Sequence, residues 1–244
     1  MVPAIETRGL SKQYGRTVAV DGIDLTVDTG DVFGFLGPNG AGKTTTMRML
    51  TTLTKPSSGE ATVAGEDVRD RPAVVEHIGY LPEEPPLFDE FTGREMLEYY
   101  AGLRDVSEAD ARIADLLERF DLADAADRRT DGYSKGMKQK TAIAAAILHE
   151  PEVLFLDEPT SGLDPRAART VRETIADLAA ADTTVFLSTH ILPVVEELAD
   201  TVGVLYEGSL VAAGAPESLA ERAASGGGTL EDVFLEVTGG TGER

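Results

Sequence analysis

The sequence predicts an α/β protein, and three observations carry that prediction. A short apolar run, Val32–Leu36, passes through a glycine-rich loop into a helix-like stretch over 44–53. Two more apolar runs, 153–156 and 185–188, flank a segment rich in Ala and Arg that reads as a helix. Between these units, from about 87 to 150, the texture is helical. Strands that alternate with helices build a mostly parallel sheet covered on both faces. A helical block interposed in that alternation reads as an insertion into one domain.

The elements follow in order. Ile23, Leu25 and Val27 alternate with polar neighbours, as in a half-buried strand. Val32–Leu36 is mostly apolar and ends at Gly37, which suits a central strand buried on both faces. The helix over 44–53 comes next, then a strand over 59–64 after the turn residues Lys55, Pro56, Ser57 and Ser58. Thr92 and Glu95 form a capping box before Met96, Leu97, Tyr100 and Leu103 at helical spacing. Ser107 with Asp110 predicts another helix start, with Ile113, Leu116, Leu117 and Phe120 on one face. A third helix is expected over 134–149. Runs 202–205 and 210–213 flank Tyr206-Glu207-Gly208-Ser209, a hairpin signal. Gly226-Gly227-Gly228 reads as a flexible joint before a short amphipathic piece over 230–237.

Composition bounds the function. The 244 residues hold 22 Lys+Arg against 43 Asp+Glu, a formal charge of −21. A hydrophobic content of 42% supports a real core, so the acidity does not signal disorder. Such a surface repels phosphate backbones, which argues against a nucleic-acid partner. An ordinary acidic protein is one reading of the charge. The favoured one is a protein of a salt-rich cytoplasm, where counter-ions screen self-repulsion. With no cysteine there is no disulfide and no thiol nucleophile. The start, MVPAIETRGL, lacks a basic region followed by an apolar one, so no secretory signal is expected. No apolar run approaches the ~18 residues of a membrane span. Work at a membrane would have to pass through another chain.

Chemistry enters at Gly37-Pro38-Asn39-Gly40-Ala41-Gly42-Lys43-Thr44, which fits G-x-x-x-x-G-K-[ST] and lies between an apolar strand and a helix. The glycines let backbone N–H groups turn towards phosphate oxygens, and the helix adds the positive end of its dipole. Lys43 suits the β- and γ-phosphates, Thr44 suits Mg²⁺, and Thr45 follows as part of the same phosphate-binding set. The expectation is a bound nucleoside triphosphate. The strand at 153–156 ends in Asp157 and Glu158. Asp157 suits the Mg²⁺ shell, and Glu158 the orientation or deprotonation of an attacking water. A second acid beside the first favours hydrolysis over a kinase, which must keep water from the γ-phosphate.

Tyr133-Ser134-Lys135-Gly136-Met137-Lys138-Gln139, Ser161-Gly162-Leu163-Asp164 and Ser188-Thr189-His190 complete a set whose order and spacing resemble the ATP-binding subunit of an ABC transporter across nearly the whole chain. The resemblance implies a P-loop, RecA-like core with an N-terminal antiparallel β subdomain and an inserted helical subdomain. It places the core at 1–86 and 150–224, the insert at 87–149, the ATP-binding domain over 1–236, and a joint and tail at 225–244. It further implies that Tyr14 stacks on adenine, and that Ser134 and Gly136 contact the γ-phosphate of a nucleotide held by another subunit. Asp164 resembles the acid that lies across a dimer interface, and His190 the switch histidine that contacts the γ-phosphate. His77 and His149 are read as structural.

Two departures stand out. Glu83 occupies the place where Gln is usual, so it would reach the Mg²⁺ shell through an oxygen with an added negative charge. Lys135 replaces a usual glycine and adds a cation near the expected γ-phosphate. Both variants, and the ending Leu230-Glu231-Asp232-Val233-Phe234-Leu235-Glu236-Val237-Thr238-Gly239, resemble exporter subunits of the drug- and sodium-efflux group, which pair with six-helix permeases. The implied protein is an ATPase using ATP and Mg²⁺, a homodimer docked on a polytopic membrane permease, on the cytoplasmic face of the cell membrane. A permease-free ATPase acting on ribosomes or DNA is the alternative; the single cassette, short insert and acidity weigh against it.

Overall fold

The computed structural model describes residues 3–222 and 228–239. Strands β1 (Ile5–Tyr14) and β2 (Thr17–Val27) open the chain as an antiparallel hairpin. Ile23, Leu25 and Val27 are buried while Asp24 and Thr26 face out, which is the alternation expected from the sequence. Strand β3 (Val32–Leu36) is buried at every position and delivers the glycine-rich loop to α1 (Lys43–Leu50). This helix ends short of residue 53. The Thr51 hydroxyl donates back to the Met47 carbonyl (2.8 Å), and Thr52 turns out of helical geometry at φ 63°. Strands β4 (Ser58–Val63) and β5 (Glu66–Asp67) complete a first sheet in the order β2-β1-β4-β5.

Helix α2 (Arg71–His77) leads into β6 (Ile78–Leu81), an edge strand that the sequence reading did not single out, and Glu83 lies just beyond it. Helix α3 (Gly93–Leu103) begins with the expected capping box. Thr92 Oγ1 accepts from the Glu95 N–H (3.1 Å), and Glu95 Oε2 accepts from the Thr92 N–H (2.8 Å). Helix α4 (Ala109–Arg119) does not start at a Ser107 cap. Glu108 precedes it at φ 54°, a left-handed geometry unlike the extended one that lets a cap side chain reach the next turn. Its inner face is the expected one, with Ile113, Leu117 and Phe120 buried.

Helix α5 (Lys135–Ile147) is capped by Ser134, whose Oγ accepts from the Met137 N–H (3.2 Å). It is shorter at its end than the expected 134–149. There follow β7 (Val153–Asp157), α6 (Pro165–Ala180), β8 (Thr184–Thr189), α7 (Leu192–Leu198), β9 (Thr201–Tyr206), β10 (Ser209–Gly214), α8 (Pro216–Arg222) and α9 (Leu230–Gly239). The second sheet runs β10-β9-β3-β8-β7-β6, parallel throughout except for the β9–β10 hairpin. The fold class is therefore the α/β one expected, with an antiparallel sheet at the start and a helical block between β6 and β7.

Each face of the parallel sheet has its own core. Phe33, Phe35, Phe155 and Phe186 project to one side with ring centroids 5.2–6.2 Å apart, facing α1 and the antiparallel sheet. Leu154, Leu156, Val185 and Leu187 project to the other, against α5 and α6. At about 1.5–3 kcal/mol for each fully buried large apolar side chain, these layers fix the sheet rigidly. Gly226 and Gly227 of the expected joint lie outside the described residues. Helix α9 seats Leu230 and Val233 in a third cluster with Leu36, Val195 and Val204. Among the described residues no helix is long and apolar enough to cross a membrane.

Register positions the site. Leu36 of β3 lies beside Thr189 of β8, and Ser188 of β8 lies beside Asp157 of β7. The three strands thus end level, at the mouth of the glycine-rich loop.

Candidate nucleotide-hydrolysis site

The loop after β3 wraps a cavity of about 360 Å³ lined by Pro38, Asn39, Gly40, Gly42, Thr44 and Thr45, with Lys43 at its floor. The glycines are needed by contact as well as by conformation. Gly42 sits at φ 112°, and a Cβ there would lie 2.5 Å from the Ala19 carbonyl oxygen. A Cβ at Gly37 would lie 2.5 Å from the Leu205 carbonyl oxygen, so β9 supports the loop from behind. Lys43 is buried, and its Nζ donates to the Gly37 carbonyl (2.7 Å) while lying 3.6 Å from Glu158 Oε1.

The two acids have distinct surroundings. Asp157 is 1% exposed; one of its oxygens accepts from Ser188 Oγ, and the other, Oδ2, is buried without a partner. Glu158 leaves the strand at φ 49°, a costly geometry for a non-glycine residue that the surroundings must enforce. Its N–H donates to the Ser188 carbonyl (3.0 Å), Thr189 Oγ1 donates to its Oε2 (3.2 Å), and its Oε1 is bonded to Nδ1 of His190 (2.9 Å). Glu158 is 7% exposed, whereas the His190 side chain is 46% exposed, so the histidine stands between the acid and solvent. Thr189 and Ser188 orient the two carboxylates, yet sequence reasoning singled out only His190 of that triplet. The signal was available, since all three sit at the C-terminal end of a strand beside the loop.

Glu83 is exposed and lines the same cavity, and so do Asp157, Glu158 and His190. Tyr14 does not line it. It is 49% exposed at the end of β1, and Lys12 Nζ lies 5.0 Å from its ring centroid on one face. Ser134, Lys135, Gly136 and Asp164 also lie elsewhere. Asp164 caps α6 by accepting from the N–H groups of Arg166 and Ala167 (3.0 Å each), and these bonds hold its carboxyl below the usual range. A Cβ on Gly136 would contact Ala167 at 3.2 Å, so residues 134–136 lie beside that cap. Of the six lysines only Lys43 lines the cavity; Lys138 is paired with Asp89 (3.0 Å).

A larger cleft of about 590 Å³ adjoins the site between α1, β6, α3 and α5, sharing Thr44, Glu83 and Asp157. Tyr80 in its wall is pushed up to about 12 by burial and then by the charge of Asp157. His149 in the same wall bonds the Ile78 carbonyl through Nε2 (2.9 Å), in keeping with a structural role.

The donor set suits Mg²⁺. Among the described residues no group of three His, Cys, Asp or Glu side chains could hold a metal alone. The oxygen donors are the Thr44 hydroxyl and the unpartnered Oδ2 of Asp157, both at the cavity. A hard cation that keeps waters and shares phosphate oxygens needs only one or two such ligands.

Comparison with known proteins agrees with this geometry. The family model described as ABC transporter matches residues 20–161, more than half of the chain. A daunorubicin resistance ATP-binding protein, DrrA3, of Streptomyces coeruleorubidus is 44% identical over 96% of this chain and 74% of its own length. The ABC transporter ATP-binding protein NatA of Bacillus subtilis is 44% identical over 83% of this chain and 84% of its own. A solved ATP-binding subunit of an ABC transporter superposes with a TM-score of 0.89, at 32% identity, over 96% of this chain and 99% of that one. A glycine-rich loop between strand and helix, two carboxylates at the neighbouring strand end and these likenesses lead to one conclusion: the chain belongs to the ABC transporter ATP-binding family and is an ATPase subunit.

Proposed function

We propose that two copies of this chain clamp two Mg·ATP and drive a separate membrane permease, in the direction of export. The observation that carries the hydrolytic part is Glu158, fixed by Thr189 and His190 beside Lys43. Lys43 and the loop from Gly37 to Thr45 would hold the phosphates, and Thr44 and Asp157, with Glu83 lining the same cavity, would hold the metal. When bound, Mg²⁺ neutralises charge developing on the phosphate oxygens. Glu158 orients the attacking water and accepts its proton, and His190 keeps the carboxylate aimed. Tyr14 offers adenine the ring face opposite Lys12.

The two-copy arrangement is supported by where residues 134–136 lie. They stand beside the Asp164 cap and not at the chain's own cavity, so a phosphate they contact belongs to another copy. Free N–H groups at the start of α5 and the ammonium of Lys135 suit that anion. The core at 1–86 and 150–224 and the insert at 87–149 would move relative to each other, with the joint and tail at 225–244. The cleft between them, rimmed by exposed Leu53 and with Phe88, Tyr99 and Leu103 exposed nearby, suits a permease segment at the inner face of the membrane. Export is favoured by the likeness to daunorubicin resistance proteins. The charge of −21 is read as adaptation to a salt-rich cytoplasm.

Glu158→Gln tests the proposal. The amide keeps the shape and loses the proton acceptor, so turnover should fall about 10²–10⁴-fold with ATP binding retained and a dimer trapped. Hydrolysis at the wild-type rate would show that Glu158 is not the base. Recovery of a polytopic membrane protein with the native chain tests the permease; recovery of ribosomes or DNA in its place would overturn it.

A further inference from the structure

We infer that Gln139 is a positioning residue that ties the loop carrying Glu158 to residues 134–136, so that each nucleotide site senses the other. The inference rests on the two-copy reading above. Gln139 is 3% exposed on the inner side of α5, and its Nε2 donates to the carbonyl of Pro159 (3.1 Å). Pro159 directly follows Glu158, and its carbonyl is its sole backbone hydrogen-bonding group.

The loop between Glu158 and α6 is internally wound. The Ser161 N–H donates to the Glu158 carbonyl (3.1 Å) and the Leu163 N–H to the Thr160 carbonyl (3.3 Å), so the segment moves as a unit. A second tie reaches it from the same helix. Lys135 lies across Gly162, such that any side chain there would collide with Nζ, while Cε and Cδ stand 3.4 and 3.7 Å from the position of its Cβ. Among the described residues the Lys135 ammonium has no ion-pair or hydrogen-bond partner, so the contact is made by packing. Helix α5 therefore grips the loop at Pro159 and at Gly162, one grip buried and directional, the other a surface packing contact of the Lys135 side chain.

A buried amide is an expensive way to fill space, since an apolar side chain of similar volume would pack there without needing a partner. Its use is directional. If residues 134–136 are drawn towards a partner's phosphate, α5 pulls on Pro159, and Glu158 is one peptide away. Conversely, loss of the γ-phosphate at Glu158 relaxes the loop and shifts the start of α5. Gln139 does not line the cavity, so its route to Glu158 is the bond to Pro159.

The test uses Gln139→Met, which keeps length and burial but lacks the donor, alone and combined with Glu158→Gln. Loss of one directional bond predicts about a fivefold to tenfold fall in kcat, with binding of Mg·ADP unchanged within about twofold. In the Glu158→Gln background it predicts about a fivefold rise in the ATP concentration needed for dimer formation. A change in only one of kcat and dimerisation, or in neither, overturns the coupling. Should Gln139→Met fail to fold, Lys135→Gly and Lys135→Met probe the second grip from the surface. The glycine variant should lower both readouts more than the methionine variant, which keeps the apolar cover, and equal effects of the two overturn the inference. If Glu158→Gln alone forms no ATP-dependent dimer, the two-copy reading falls, and this inference with it.

Discussion

Ser188→Ala isolates the environment of Asp157. The serine hydroxyl donates to one carboxylate oxygen, and the other oxygen is already without a partner at a residue 1% exposed. The substitution leaves a buried charge with no hydrogen bond at either oxygen. A bond to a charged group contributes about 1.5–3 kcal/mol, and full burial places this one near the upper end, about 3 kcal/mol. For a chain of this length each kcal/mol moves Tm by about 2–4 °C, so the apo variant should melt about 6–12 °C below wild type. Mg²⁺ with ADP should recover part of the deficit, because the cation gives Asp157 an opposite charge. Groups that orient a metal ligand typically govern affinity by 10–100-fold, so the Mg²⁺ requirement for ATPase should rise by about tenfold or more. Melting curves with and without Mg²⁺, and ATPase rates across a Mg²⁺ titration, check both. A variant within about 1 °C of wild type and with an unchanged Mg²⁺ requirement would refute the reasoning.

Three further predictions follow from the same geometry. Gly37→Ala should abolish nucleotide binding, since its Cβ would lie 2.5 Å from a backbone oxygen of β9, whereas Gly102→Ala, which meets nothing within 4 Å, should bind normally; fluorescent-nucleotide titration decides. Burial first, and then Arg104, push the His149 pKa below its ordinary value, against an opposing bond to the Ile78 carbonyl. The unfolded histidine takes a proton near about 6.5 and the folded one only below that. Its contribution is therefore complete above about pH 6.5 and lost as the pH falls through the lowered folded value. Denaturant midpoints of His149→Gln should accordingly fall less than those of wild type over that acidic range. Finally, molar KCl should raise both Tm and ATPase rate, because screening shortens from about 30 Å at 0.01 M to about 3 Å at 1 M, and full stability in dilute buffer would remove the salt-adapted reading.

The placement of the glycine-rich loop between strand and helix, and of the acid pair at a strand end, was legible because the signals are local: a strand, a short motif, a helix. What placed Thr189 on Glu158 and Ser188 on Asp157 is the register between two strands, and that depends on packing contributed by the whole sheet. Strand β1 escaped the sequence reading because its pairing shifts register between Thr7 and Leu10 and again to Lys12, which breaks the alternation. The start of α4 was misplaced because Glu108 adopts a positive φ that no cap signal announces. Strand β6 was missed because it is only four residues long, with Gly79 and Tyr80 between its two aliphatic ends. The Lys43–Glu158 proximity was also hidden, since the motif suggests phosphate alone as the partner of that lysine.

Three consecutive residues, Ser188 and Thr189 at the end of β8 and His190 just beyond it, serve two consecutive acids of the neighbouring strand end: Ser188 holds Asp157, while Thr189 and His190 hold Glu158. Slipping β8 by one position would bring Leu187 or Thr189 opposite Asp157 and misaddress both carboxylates at once. On the proposed roles of Asp157 and Glu158, metal retention and water activation would therefore be ganged controls, turned by one spindle. Small displacements of β8 against β7 should move both together, and variants that tune one without the other should be found in the side chains of these three residues and not in the backbone that carries them.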